Sequence, residues 1–135
     1  MTAANSVHLT RRDVLAAGSA LAAAATLPGQ ALAASAKGPA LVVFDARFGL
    51  SAHLAERRAA RGAATLDPRD HDLGLAWRVQ LAGLLDAGEH IEGLTLWSDR
   101  LVCEILARDA GHAFVASERP QASPEGAMLY HWVIG

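Results

Sequence analysis

After residue 39, the apolar and polar positions follow two kinds of pattern. One is typical of strands and the other of helices, and the two kinds alternate along the chain. Short, continuous apolar runs such as ALVVFD (residues 40–45) are typical of strands that are buried on both faces. Residues 51–62 instead have small or apolar side chains along one side and charged ones, including Arg58, along the other. This pattern indicates a helix whose charged side faces water. We expect Ser51 to cap this helix and Gly62 to end it.

The same alternation continues to the end of the chain. The segments AATLD, HIEGLTLWS and HAFVAS predict a second, third and fourth strand, with two further helices between them. The first of these helices follows a cap at Asp70 or Asp72. Its apolar stripe is broadened by Leu75 and Val79, so we expect burial against more than one neighbour. Ser98 or a neighbour opens the next helix. After the loop RPQASPEGA, the tail MLYHWVI predicts a fifth strand, at a sheet edge or as a hairpin partner.

Strands and helices that alternate with short connections are typical of right-handed βαβ units and a parallel sheet. We therefore predict a small three-layer α/β sandwich with a mostly parallel sheet of four or five strands. The expected strand order is flavodoxin-like, with the first and third strands adjacent at the centre. Residues 40–135 would form this single domain, and residues 34–39, which are small and polar, would be a flexible lead-in.

The N-terminal residues 1–33 have the order of a signal peptide: a basic region, an apolar alanine-rich stretch and a small-residue cleavage site. The basic region contains Thr10, Arg11 and Arg12, and the cleavage site has an A-x-A triplet with Ala31 and Ala33. The basic region resembles a bacterial twin-arginine (Tat) signal peptide. This resemblance implies recognition by the Tat translocase, export to the periplasm and cleavage after Ala33.

Two features of the same segment refine this prediction. Val14 stands where Tat signals most often have Phe or Leu, and Ala16 stands where a Lys is common. The apolar stretch is interrupted at Pro28 and Gly29, well short of the about 20 residues that a transmembrane helix needs. We therefore expect no membrane association after cleavage.

Charge and cysteine content limit the partners of the mature chain. Without the signal peptide the protein is mildly acidic and has no run of like charges, which argues against nucleic acid and anionic membrane surfaces as partners. Cys103 is the only cysteine, so no intramolecular disulfide can form. Because it lies inside a predicted helix, we interpret it as a buried structural thiol. Folding can therefore be completed in the cytoplasm, before export.

Ligands of open α/β sheets bind at the carboxyl ends of the strands, where the strand order reverses. Asp45 and Ser98 follow the first and third strands, which makes them the candidate catalytic residues. Asp45 could be a base or a ligand-binding carboxylate, and helix amides near Ser98 could receive an anion. The alternatives are an Asp that satisfies turn amides and a Ser that caps its helix. The residues expected to contact a ligand are Arg47, Trp97, Asp99 and Arg119, and Asp67, Arg69, Ser117 and Glu118 also follow strand ends.

Other residues that often carry chemistry do not form known motifs. The acidic segment DPRDHD lacks the spacing of a calcium loop or a zinc site, so we predict a helix-capping turn and no metal. The turn after the first strand has a single Gly and no dinucleotide or phosphate-loop fingerprint, so no cofactor is expected. His131 shares a strand face with Leu129 and Val133, which indicates a packed or partner-facing side chain.

Two classes of function remain open. The first is an exported accessory or ligand-binding protein that holds a small molecule, or escorts a companion subunit or a second copy. In this case Trp77 belongs to the core, while Trp97 and Trp132 near element ends could anchor the contact. The second is a small lyase, isomerase or hydrolase that uses Asp45 with an arginine, such as Arg47 or Arg119, on a carboxylate-bearing substrate.

The segments LVVFD, GLT and LYHWVI also make the mature chain similar to small, uncharacterised Tat-exported proteins of proteobacteria. The similarity spans most of the mature chain. It supports export but implies no reaction.

Overall fold

The computed structural model describes residues 38–135. Residues 1–37, with the predicted Tat signal, its cleavage site and most of the lead-in, lie outside this range. The elements are, in chain order, β1 (Leu41–Phe44), α1 (Gly49–Ala59), β2 (Ala64–Leu66), α2 (Leu73–Ala76), a π-helical turn (Trp77–Leu81), α3 (Ala82–Asp86), β3 (Ile91–Thr95), α4 (Trp97–Asp109), β4 (Phe114–Ala116), β5 (Gln121–Ala122) and β6 (Met128–Ile134).

The six strands form a mixed sheet with the order β2-β1-β3-β6-β4, and β5 pairs with β6. β1 is parallel to β2 and β3, which confirms the α/β class and the predicted adjacency of the first and third strands. β6 is antiparallel to β3, β4 and β5. The prediction of a mostly parallel sheet of four or five strands is therefore wrong, both in strand direction and in strand number. β6 does pair with β5 as a hairpin partner, but it lies inside the sheet rather than at its edge.

Helices pack on both faces of the sheet. On one face, Leu54 and Ala55 of α1 pack against Val42 of β1 and Leu94 of β3. On the other face, α2, the π-helical turn, α3 and α4 pack against the side chains of β1 and β3 that point the opposite way. β1 is buried on both faces, as its continuous apolar run predicts.

Trp132 joins β6 to β3. Its indole is completely buried, stacks on Phe114 with ring centroids 5.6 Å apart, and donates from Nε1 to Thr95 Oγ1 at 3.0 Å. The ring lies directly over Gly93, where a Cβ atom would overlap it. Trp132 is therefore a core residue, and its predicted role as an anchor for a partner is wrong.

The ends of the helices agree only in part with the sequence-based expectations. Asp72 caps α2 as predicted, since its Oδ1 accepts from the amide of Leu75 at 2.7 Å. Ser51 does not cap α1, because the helix begins two residues earlier at Gly49. Instead, Ser51 Oγ accepts from the amide of Asp45 at 2.8 Å and donates to the carbonyl of Leu94 at 2.6 Å. Ser51 thus joins the end of β1 to β3.

The helical segment between β2 and β3 is less buried than its apolar stripe predicts. Trp77 and Leu81 are in the core, but Leu75 is 52% exposed and Val79 is 72% exposed. The segment does pack against two neighbours, the sheet and α4, as expected, but Leu75 and Val79 take no part in this burial. Within residues 38–135, no helix has the length and apolar composition that are needed to span a bilayer.

Replacement of Gly93 by Ala tests the contact between β3 and β6. The added Cβ forces the buried indole of Trp132 to move, so we expect the free energy of unfolding to fall by about 2 kcal/mol. The control is Gly83→Ala in α3, where no atom lies within 4 Å of the new Cβ and helix propensity favours Ala by up to about 1 kcal/mol. Urea denaturation of the two variants measures both effects. Equal stability of the Gly93→Ala variant and the unmodified protein would contradict this account.

Candidate functional site

Asp45 and Arg47 form an ion pair at the carboxyl end of β1. The guanidinium of Arg47 donates from Nε to Asp45 Oδ1 at 2.9 Å and from Nη2 to Oδ2 at 2.6 Å. The backbone amide of Arg47 also donates to Oδ1 at 3.1 Å, so the carboxylate closes the turn that places the guanidinium. The carboxylate is completely buried, whereas the Arg47 side chain is 45% exposed. Asp45 thus holds an arginine that can still reach solvent.

The charge of Asp45 is stabilised by this pair. Burial favours its neutral form, but the hydrogen bonds and the positive charge of Arg47 outweigh burial and lower the pKa of the carboxyl. A carboxylate with a lowered pKa and both oxygens engaged is a weak base. The geometry therefore supports the alternative that Asp45 orders a turn. Asp45 also positions the guanidinium of Arg47.

Asp67 connects the end of β2 to the same edge. Its Oδ2 accepts from the amide of Ala46 at 3.0 Å, and its Oδ1 accepts from the amide of Arg69 at 2.9 Å. Asp67 is buried, and the positive charge of Arg69 contributes to the lowered pKa of Asp45. The turns after β1 and β2 therefore form one charged surface, as the topology predicts.

Asp99, in the first turn of α4, completes this surface. Burial and the negative charges of Asp45 and Asp67 raise the pKa of its carboxyl, while the charge of Arg47 opposes the shift. The pKa of Arg47 is raised, mainly by its hydrogen bond to Asp45. Partial desolvation lowers this pKa, but the negative charges of Asp45, Asp67 and Asp99 raise it further. Arg47 thus lies among three carboxylates, of which Asp99 has the properties of a candidate acid or base.

The other predicted site residues have different positions. Ser98 and Trp97 are exposed in the first turn of α4, beside Asp99, and the residue at the N-cap of this helix is Leu96. Ser98 therefore does not cap the helix. Arg119 is exposed beyond β4, and β6 separates β4 from β3. Because adjacent strands are about 4.8 Å apart, this insertion moves the end of β4 away from the Asp45–Arg47 pair.

A second charged cluster, which the sequence pattern did not predict, lies on the face of the sheet that α1 covers. Arg58 was expected to face water, but its Nε donates to Glu92 Oε1 at 2.6 Å and its Nη2 donates to Oε2 at 3.2 Å. His131 Nε2 lies 2.7 Å from the same Oε2. A charged residue inside the otherwise apolar strand HIEGLT is the signal in the sequence that could have indicated this cluster.

Glu92 is ionised in spite of its burial. Desolvation favours the neutral acid, but the hydrogen bonds and positive charges of His131 and Arg58 lower the pKa of Glu92 to about 2. The anionic form of Glu92 is strongly stabilised only while both His131 and Arg58 remain in contact with it. The cluster therefore links α1, β3 and β6 electrostatically.

Cys103 has a structural environment, as its position inside a helix predicts. Cys103 is completely buried, and this desolvation raises the pKa of its thiol to about 12, so it is not a reactive nucleophile. Among residues 38–135, no group of three or more His, Cys, Asp or Glu side chains is arranged to hold a metal ion.

Comparisons with models of protein families, with curated proteins and with solved structures find no match to this chain.

The lowered pKa of Glu92 predicts an acid-sensitive contribution to stability. The ordinary value is 4.5 and the folded value is about 2, so the ionised carboxylate stabilises the fold above pH 4.5 by about 3 kcal/mol. This contribution is lost as the pH falls from 4.5 towards 2. We expect the Glu92→Gln variant to be less stable than the unmodified protein at pH 7 and the difference to shrink over that range.

Urea denaturation at a series of pH values measures this difference. The matched control is Glu56→Gln, which removes the same charge from a side chain on α1 that is 78% exposed. It should change stability little at any pH. A difference between the Glu92→Gln variant and the unmodified protein that stays constant from pH 7 to pH 2 would contradict the assignment.

Proposed function

We propose that this chain is an exported ligand-binding protein whose site is the charged surface at the carboxyl ends of β1, β2 and β3. The observation that carries the proposal is the buried Asp45 carboxylate, which fixes a partly exposed Arg47 through two side-chain hydrogen bonds. Proteins commonly use such a pre-ordered guanidinium to bind carboxylates.

The free donors of Arg47 and the carboxylate of Asp99 define the ligand class. A guanidinium has five N–H donors and Asp45 uses two of them, so the outer edge of Arg47 can bind a second anionic group. Three carboxylates nearby disfavour a ligand that is purely anionic. The best fit is a small molecule with one carboxylate, for Arg47, and one hydroxyl or ammonium group, for Asp99.

The alternative function is an enzyme, a small lyase, isomerase or hydrolase, acting on the same class of molecule. The raised pKa of Asp99 favours this alternative, because a carboxyl with such a shift beside an arginine can transfer a proton to or from a bound carboxylate-bearing substrate. In that case Asp99, rather than Asp45, is the acid or base. Binding without turnover remains the primary proposal, because Asp45 is committed to Arg47.

A screen of small carboxylates against the mature protein tests the ligand site. Hydroxy and amino acids should raise the melting temperature more than simple carboxylates of the same size. Arg47→Lys keeps the charge but loses the paired geometry, so we expect the affinity measured by calorimetry to fall about tenfold or more. Asp99→Asn should weaken only ligands with a hydroxyl or ammonium group.

The control for this screen is Arg119→Lys, an exposed arginine beyond β4, which should bind like the unmodified protein. Equal affinity of the Arg47→Lys variant for every ligand found would exclude the proposed site. Consumption of a ligand by the unmodified protein, lost in Asp99→Asn, would favour the enzyme.

Export through the Tat pathway is part of the proposal and rests on Thr10, Arg11 and Arg12. We expect a fusion of residues 1–37 to a reporter that folds before export to reach the periplasm. Replacement of both Arg11 and Arg12 by Lys should block its export, because the translocase recognises the arginine pair. Cell fractionation measures the outcome. A reporter exported equally well without the arginine pair would exclude the Tat assignment.

A companion subunit or a second copy of the chain fits one further observation. Leu75 in α2, Val79 in the π-helical turn, and Val102 and Ile105 on α4, which contacts α2, are exposed apolar side chains. Exposed apolar side chains on neighbouring helices favour contact with another protein. Sedimentation of the periplasmic protein would detect such a complex, and a monomer at native concentration would exclude it.

A further inference from the structure

Three neighbouring strands place a carboxylate, an imidazole and a hydroxyl side by side on one face of the sheet. Glu92 is on β3, His131 on β6 and Ser117 directly after β4. The β4–β6 register pairs Phe114 with Ile134 and Ala116 with Trp132, and the amide of Ser117 continues it by donating to the carbonyl of His131 at 2.8 Å. Residues that are opposite in an antiparallel pair point to the same face, so Ser117 and His131 are direct cross-strand neighbours.

The ionised Glu92 decides which nitrogen of His131 carries a proton. Glu92 has a pKa of about 2, so at neutral pH its Oε2 can only accept a hydrogen bond from His131 Nε2, at 2.7 Å. In the neutral ring, Nδ1 is then the unprotonated nitrogen. His131 therefore presents a basic lone pair on the side of the ring that faces away from Glu92.

The two ring nitrogens of His131 suit its two neighbours, since Glu92 is the more distant one and Ser117 is the nearer one. Nε2 is the far nitrogen, and it spans the diagonal to Glu92, whose direct partner on β6 is Val133. Nδ1 is the near nitrogen, and Cβ atoms of directly opposite residues are only about 5 Å apart. A hydroxyl at Ser117 can therefore reach Nδ1 by rotation about χ1.

Burial and Arg58 make Glu92 a rigid support for the ring. The Glu92 carboxylate is 5% exposed and is held by two donors of Arg58, whereas the His131 side chain is 31% exposed. Ser117 is exposed, and its Oγ donates to the carbonyl of Arg119 at 3.5 Å, a long contact that is easily exchanged. The buried carboxylate thus orients a partly exposed imidazole, and the exposed hydroxyl of Ser117 lies on the neighbouring strand.

We infer that Ser117 is a nucleophile, that His131 is its general base and that Glu92 is a positioning residue, and that together they hydrolyse small neutral esters. Ser117 Oγ forms a bond to the acyl carbon while its proton moves to His131 Nδ1. The ester C–O bond breaks, and the leaving alkoxide takes the proton from His131. Water, deprotonated by His131, then attacks the acyl carbon. The bond between the acyl carbon and Ser117 Oγ breaks, the acid is released, and Oγ takes the proton back from His131. Exposed Glu118 beside the nucleophile disfavours anionic esters.

An alkyl fluorophosphonate tests this site without knowledge of the natural ester. Ser117 Oγ should form a bond to phosphorus as fluoride leaves, with its proton taken by His131, and the adduct should appear in the intact mass of the mature protein. Peptide mass spectrometry should map the adduct to Ser117. Ser117→Ala should abolish labelling, and the control Thr65→Ala, which removes an exposed hydroxyl from β2, should not affect it.

The roles of His131 and Glu92 are separated by the kinetics of labelling. His131→Gln removes the base, so it should slow labelling by about 100-fold or more. Glu92→Gln removes the acceptor that fixes the ring of His131, so it should lower the maximal rate of labelling by about tenfold or more and leave the reagent concentration that gives half of that rate unchanged. If circular dichroism shows that Glu92→Gln is unfolded, Glu92→Asp, which withdraws the carboxylate from the ring, replaces it.

Three outcomes would overturn the inference. They are absence of labelling in the folded protein, an adduct at a residue other than Ser117, and equal labelling rates in the His131→Gln variant and the unmodified protein. Each leaves the ligand site at Arg47 untouched, because that site uses none of the three residues.

Discussion

The packing of Trp132 over Gly93 holds β6 between β3 and β4, and the shape of both candidate sites depends on this insertion. The indole leaves no room for a side chain at residue 93 and uses its N–H to bind Thr95 at the end of β3. A buried polar N–H needs such a partner, so the register of β6 against β3 is fixed as well as its position. Stacking on Phe114 then aligns β4 on the other side of β6.

The inserted strand divides the carboxyl ends of the parallel strands into two groups. β1, β2 and β3 keep their ends together, so Asp45, Asp67 and Asp99 surround Arg47. β4 is moved away by the width of β6, which places Ser117 beside His131. A single antiparallel strand thus separates a site suited to binding from a group of residues suited to acyl transfer.

Both groups use a buried carboxylate to fix a partly exposed cation or base. Asp45 holds Arg47, and Glu92 holds His131 with the help of Arg58. In each case the carboxylate has a lowered pKa because hydrogen bonds from the positive partner outweigh burial. The buried acids therefore serve as supports, and the groups that can meet a ligand are the partners they orient.

The amino-acid sequence by itself determined the α/β class, the adjacency of β1 and β3, a helix cap at Asp70 or Asp72 and the meeting of the Asp45 and Asp67 turns. These features follow from local periodicity, turn chemistry and the direction of parallel strands, all of which act over short stretches of chain. Only the tertiary structure decided that β6 lies inside the sheet, that Arg58 turns from solvent to Glu92, and that Asp45 is committed to Arg47. Such choices depend on which distant side chains meet: an indole needs the space above a glycine, and a buried carboxylate needs cations from elements far apart in the sequence.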